Sequence, residues 1–238
     1  MKMNTNSNSY TIVYASVMVV IVAFLLAFVS SVLKPTQDKN VELDKKRQIL
    51  AALNIRDLQT ANEVENKYDE VVIADMVVKA DGSCVKTGKE KDEDGFKVDN
   101  KDINSGCLPV YVCKINGSTK YVVPMSGRGL WGGLWGYMAV NDDFRTVFGA
   151  YFSHESETAG LGSPIAEQKF QDQFKGKQIF TDSATSQVAL TVVKKGQVKD
   201  DTYEVDGLTG ATLTTKGAAA MVNSGLQQYV GFFNASKK

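Results

Sequence analysis

The strongest pattern along the chain is residues 11–33, a run without a single charge and almost wholly apolar or small. Its 23 residues would reach ~35 Å as a helix, against ~30 Å for the hydrocarbon core of a bilayer. Tyr10 and Tyr14 stand where interfacial aromatics sit, and Lys34-Pro35 is expected to end the run. A cleavable signal has an apolar core of only about 7–15 residues, and Val29-Ser30-Ser31-Val32 is a poor cleavage site. The pattern therefore predicts a tail over 1–10 and an uncleaved single-pass anchor over 11–33. Lys2 precedes the span, whereas Lys34, Lys39, Lys45, Lys46 and Arg47 follow it. Local counting puts the C-terminal side in the cytoplasm, but long domains translocate regardless of such charges, so the residues leave the side open.

Beyond the anchor the periodicity changes. Residues 40–53 set Leu43, Ile49, Leu50 and Leu53 on one helical face. Thr60-Ala61-Asn62-Glu63 is a capping box, followed by Val64, Tyr68 and Val71/Val72 at helical spacing. Residues 34–70 thus read as a helical connector into a domain over 71–238, with a strand-like run at 71–78. Residues 79–106 are charged and rich in Gly and Asp, which predicts a long exposed loop bracketed by Cys84 and Cys107. A disulfide between the two would close that loop in an oxidising compartment; otherwise both are unpaired thiols.

Strands are predicted at 108–115, which would bury Cys113, and at 120–124, 136–140, 146–153 and 187–193. Ser163-Pro164 opens a helix with Ala166, Phe170 and Phe174 on one face and Gly176 at its close. A last helix starts near Thr214 or Thr215 and carries Val222, Leu226, Tyr229 and Phe233 on one side. Strands and helices mix without regular β-α-β alternation, so the class is α+β.

Composition narrows the function. The 238 residues hold 27 Lys+Arg against 27 Asp+Glu, and without a basic cluster nucleic acid is excluded as the partner. One His excludes a centre needing two imidazoles. Three Cys without a C-x-x-C support neither a zinc knuckle nor an iron–sulfur ligand set.

Three segments could carry chemistry. Ser126-Gly127-Arg128-Gly129-Leu130-Trp131-Gly132-Gly133-Leu134-Trp135-Gly136 contains G-x-G-x-x-G, but no helix follows, which argues against a dinucleotide fingerprint. The glycines suit either a plain turn or backbone passing close to a flat ligand, with Trp131 or Trp135 as a stacking face. The second segment runs from His154 to Gly162. Adjacent Ser153 and His154 point opposite ways on an extended chain and there is no G-x-S-x-G elbow, which disfavours a hydrolase triad. The third is Asp206-Gly207-Leu208-Thr209-Gly210-Ala211-Thr212 running into the last helix. Small residues surround the Thr212 hydroxyl, and the N–H groups of Leu213, Thr214 and Thr215 would form an anion site at the helix start. An ordinary cap by Thr214 or Thr215 is the compatible alternative.

Together the S-G-R-G-L-W at 126–131, the H-x-x-E-T-x-G-L-G at 154–162, the D-G-L-T-G-A-T at 206–212 and the anchor resemble the C subunit of the Na+-translocating NADH:quinone oxidoreductase. The G subunit of the related Rnf complex carries a similar final motif and is the close alternative. An anchored extracytoplasmic binding domain without flavin is the alternative outside both. The resemblance implies covalent FMN, joined through its phosphate to Thr212 by a flavin transferase that recognises Asp206, Gly207, Leu208, Thr209, Gly210 and Ala211. It implies further cofactor contacts from Trp131, Thr158, Gly160, Leu161, Gly210, Ala211, Leu213 and Thr214, with no catalytic acid or base and no metal. It implies an electron relay within a bacterial inner-membrane NADH:ubiquinone reductase coupled to Na+ export, partnered by the other subunits and the lipid bilayer. The chain itself would have no NADH or quinone site. The domain would face the periplasm, where a bridge between Cys84 and Cys107 gains plausibility. Ala159 stands where the family often has Pro, which would loosen that turn, and 79–106 resembles an insertion.

Overall fold

The structure is a computed structural model that describes residues 7–86, 95–98, 103, 106–181 and 187–236. Contacts divide the chain into two compact units, Met1–Lys45 and Lys46–Lys238.

The described part of the first unit is built by helix α1 (Asn8–Ala52). Its apolar stretch is long enough to cross a membrane, and none of that stretch is buried. Tyr10 and Tyr14 stack one turn apart. Helix α1 continues through Pro35, past the end of the apolar run at Leu33. Pro35 removes the bond to the Ser31 carbonyl, but Ser31 is exposed, and the helix resumes its ladder beyond it.

The second unit already includes the last turns of α1, where Ile49 and Leu50 are fully buried. It continues through α2 (Ala61–Val71), whose Thr60–Glu63 capping box forms as the sequence implies. Residues 46–70 therefore belong to the globular unit rather than to a connector, because the faces of α1 and α2 carrying Ile49, Leu53, Val64 and Tyr68 supply core.

An antiparallel sheet follows in the order β2-β1-β3-β4-β5-β6. Its strands are β1 (Val72–Val78), β2 (Cys84–Lys86), β3 (Leu108–Ile115), β4 (Ser118–Arg128), β5 (Gly133–Asn141) and β6 (Val147–His154). A separate parallel pair joins β7 (Thr191–Val193) and β8 (Glu204–Asp206). Helices α4 (Thr212–Gln228) and α5 (Val230–Ser236) close the chain. One face of the sheet, with Val123, Met125, Leu134, Met138 and Phe152, packs with Met221, Val222, Leu226 and Phe233 in the main core. Tyr111, Val122 and Tyr137, at alternate positions, are buried on the other face.

Three further expectations are corrected. The helix opened by Ser163-Pro164 is broken into a 3-10 turn Ser163–Ala166, a short α3 (Gln168–Gln171) and a second 3-10 turn Asp172–Phe174. Glu167 is extended (φ −78°, ψ 141°), which turns Ala166 outward while Ile165, Phe170, Gln171 and Phe174 are buried. Of the expected loop 79–106, residues 87–94, 99–102 and 104–105 lie outside the described residues. The rest is not wholly exposed: β2 pairs with β1, Phe96 and Ile103 are buried, and the Phe96 N–H donates to Asp75 at 2.6 Å.

The third concerns the bridge. Cys107 is an exposed free thiol, not bonded to Cys84. Val78 pairs with Cys84 on one side and Leu108 on the other, so β1 runs between the two cysteines. Two strand spacings are about 10 Å, beyond the ~7 Å between Cα atoms that a disulfide spans. Cys113 is buried as expected, and burial pushes its thiol far up.

Candidate functional site around the start of α4

After β8 the chain turns through Gly207–Ala211 into α4. At Gly207 a Cβ would strike the Val193 carbonyl and the Thr215 side chain, and Gly210 sits at φ +73°, where only glycine rests without strain. The N-cap residue is Ala211, with no side-chain oxygen to offer. The first-turn N–H groups of Thr212, Leu213 and Thr214 are thus left without a side-chain cap, a ready anion site. Neither Thr214 nor Thr215 is the cap, since both lie inside the first turn. The Thr214 hydroxyl is 1% exposed and donates to Glu157 Oε2 at 2.5 Å. The Thr215 hydroxyl is buried and accepts from Leu208 N–H at 3.1 Å. Thr212 is exposed, with no hydrogen-bond partner among the described residues.

The glycine-rich segment is the β4–β5 hairpin. Arg128 pairs with Gly133, and Gly129 N–H donates to the Gly132 carbonyl at 2.9 Å. Strand–turn–strand geometry excludes the dinucleotide fingerprint. Trp131 at the tip is 66% exposed. Trp135 is not part of the site; it lies on β5, half-buried, with its indole N–H donating to Gln48 at 3.2 Å. Gly217 of α4 abuts the Arg128 carbonyl so closely that a Cβ would displace it, and Gly127 meets Met221 in the same way. Helix α4 therefore lies directly on the hairpin stem.

The His154–Gly162 segment begins at the end of β6. His154 Nδ1 accepts the Glu157 N–H at 3.2 Å. The Thr158 carbonyl accepts from Leu161, Gly162 and Ser163, each at 3.1 Å, so the turn closes with Ala159 in place of Pro. Gly160 adopts φ +73° and Leu161 reaches across to Gly210. Thr158, Gly160 and Leu161 are all exposed. A cleft of about 230 Å³ opens beside them, lined by Gly160, Leu161, Phe170, Lys195, Leu208 and Thr209 among others.

The residue that sequence reasoning missed is Glu157, 7% exposed at the junction of all three segments. Its Oε1 accepts Trp131 N–H at 2.9 Å while its Oε2 accepts the Thr214 hydroxyl. Burial pushes the carboxyl up, but the hydrogen bonds from Thr214, Trp131 and Leu130 outweigh it and hold it below the ordinary glutamate value. Its place inside H-x-x-E-T was the available signal; its burial was not readable locally. Asp206 takes Lys195 Nζ and Gly196 N–H, each at 2.6 Å. Burial raises its pKa, and these bonds outweigh that and lower it.

The arrangement is the exposed Thr212 hydroxyl at an uncapped helix start, with Trp131, Leu161 and Leu213 as exposed apolar side chains on the three segments. Among the described residues no cluster suited to a metal ion occurs.

Comparison with known proteins agrees with this geometry. Residues 129–227 match the FMN-binding domain family, a span that takes in the hairpin tip, the 154–162 turn and the start of α4. The chain is 34% identical over 232 residues to the C subunit of the Na+-translocating NADH-quinone reductase of Haemophilus ducreyi, covering 91% of this chain and 88% of that one. It is 30% identical to the protein of the same name in Pseudomonas aeruginosa, covering 90% and 89%. The crystal structure of the corresponding Parabacteroides distasonis protein superposes with a TM-score of 0.75 at 36% identity, over 84% of this chain and 96% of that one.

Proposed function

Because the chain belongs to the family of C subunits of the Na+-translocating NADH-quinone reductases, we propose that it is a flavoprotein member of such a complex, with FMN held by a phosphoester to Thr212. The observation that carries this reading is the contrast between hydroxyls at the start of α4. Thr212 is exposed and unpartnered over an uncapped helix end, whereas Thr214 and Thr215 are buried and engaged. When bound, FMN supplies the redox chemistry.

The residues present fit that group. A phosphodiester carries one negative charge, which the first-turn N–H groups and the helix dipole satisfy. Trp131 offers a ring face, and such a contact is worth on the order of 1 kcal/mol. Gly160 and Leu161 line the neighbouring cleft, Thr158 and Leu213 are exposed, and Gly210 and Ala211 let a bulky group approach. No base contacts the Thr212 hydroxyl among the described residues, so the flavin transferase would supply the base that takes its proton while the hydroxyl oxygen displaces the leaving group from the phosphorus of an activated FMN donor. That enzyme reads the exposed Thr209 and Gly210 within 206–211, while the Asp206 carboxylate holds the turn through Lys195 and Gly196.

In this reading residues 11–33 of α1 anchor the chain in the bacterial inner membrane with the flavin domain on the periplasmic side. Electrons pass between carriers in other subunits, coupled in the complex to Na+ export. With the ester retaining the cofactor, the pocket stays shallow and the flavin edge open to its partners. The test is colour. Full-length protein co-expressed with its flavin transferase should remain yellow after denaturation, and Thr212→Val should be colourless with an unchanged Tm. Covalent flavin retained by that variant would overturn the assignment; no flavin on either protein would leave an anchored binding domain.

A further inference from the structure

We propose that Glu157 is the positioning residue of this site: its ionised carboxylate clamps the Trp131 hairpin to the start of α4 and sets the reduction potential of a flavin carried there. The inference rests on the flavin reading above.

The geometry is that of a bracket. One carboxylate oxygen takes a backbone N–H from the hairpin tip and the other takes the Thr214 hydroxyl, two residues beyond Thr212. The carboxylate is packed from both sides by glycines. A Cβ at Gly129 would strike Oε1, and one at Gly162 would strike Oε2 together with the Thr214 hydroxyl. Its backbone is fixed in turn by the Glu157 N–H on His154 Nδ1. Trp131 and Thr212 lie on separate elements with no covalent reason to keep their spacing. Glu157 links the two elements with one side chain. Its donors, the Trp131 and Leu130 N–H groups and the Thr214 hydroxyl, are neutral and leave its negative charge in place, and His154 is the neighbouring group that favours the charged form.

That charge has a consequence for redox chemistry. Reduction adds electrons to the flavin, and a fixed negative charge in a poorly hydrated spot opposes it more than the same charge in water. Replacing the carboxylate with an amide removes the charge and leaves one acceptor oxygen for the three donors Thr214, Trp131 and Leu130. A structural clamp alone would alter stability and leave the potential where it was.

The experiment uses the full-length chain co-expressed with its flavin transferase, read by intact mass and by spectroelectrochemical titration. Wild type, Glu157→Gln and Thr214→Ser should all gain the flavin mass. Glu157→Gln should shift the reduced-to-oxidised equilibrium toward the reduced form by about tenfold, a rise of roughly 30 mV for a two-electron couple. Thr214→Ser, which keeps the hydroxyl, should titrate as wild type. A Glu157→Gln potential equal to wild type with flavin attached overturns this inference alone, whereas a wild type without flavin mass overturns the flavin reading and this inference with it. Should Glu157→Gln fail to fold, Thr214→Val decides. It strips one donor from the ionised carboxylate, so its potential should fall below that of Thr214→Ser, and equal potentials would overturn the proposal.

Discussion

At the scale of single residues, the site is a sorting of four threonines by environment. Thr209 and Thr212 are exposed, Thr214 and Thr215 are buried, and of the exposed pair only Thr212 stands on a helix start. Glu157 enforces the sorting by holding Thr214, and its protonation state has a sign that can be checked. Its folded pKa is depressed below the ordinary 4.5, so its contribution to stability is present above that value and fades as pH falls through the lower folded one. We expect the Tm gap between wild type and Glu157→Gln to be widest near neutrality and to close on acidification below about pH 4.5. A gap constant into the acid range would show that the carboxylate is not ionised in the folded state. Thr212 was legible in the sequence because the D-G-L-T-G-A-T string is contiguous. The burial of Glu157 was not, because it is created by Gly129 and Gly162 closing on it from separate segments.

At the scale of elements, the close approach of α4 to the β4–β5 hairpin is what brings the helix start beside Trp131. Gly217 makes that approach possible. Alanine in place of glycine inside a helix ordinarily stabilises by about 1 kcal/mol, but here the added methyl would meet the Arg128 carbonyl. Gly217→Ala should therefore destabilise by about 1–3 kcal/mol, as over-packing does, with urea denaturation as the measurement. A stabilised variant would mean the contact is looser than described. Elements whose signals are local were legible: the α2 capping box, the strand at 108–115, and the face of Val222, Leu226, Tyr229 and Phe233, all fully buried. Those whose form depends on partners were not. β8 has only three residues and exists by pairing with β7. The helix expected after Ser163-Pro164 is broken at an extended Glu167, which propensity alone does not forecast.

At the scale of the whole molecule, the boundary between the two units falls inside α1, not at the proline that punctuates the sequence. Ile49, Leu50, Leu53, Val64 and Tyr68 are core of the second unit. A fragment over 46–238 should be soluble, monodisperse and cooperatively folded, whereas one over 71–238 should aggregate or melt far lower, as read by size exclusion and thermal denaturation. Equal behaviour of the two would contradict the assignment of residues 46–70 to the core. The central claim concerns one covalent bond, and peptide mapping of the full-length protein made alongside its flavin transferase addresses it most directly. We expect an intact-mass gain of ~440 Da, the flavin nucleotide less one water, localised by fragmentation to Thr212. An unmodified peptide, or the same mass on Thr209, Thr214 or Thr215, would contradict it.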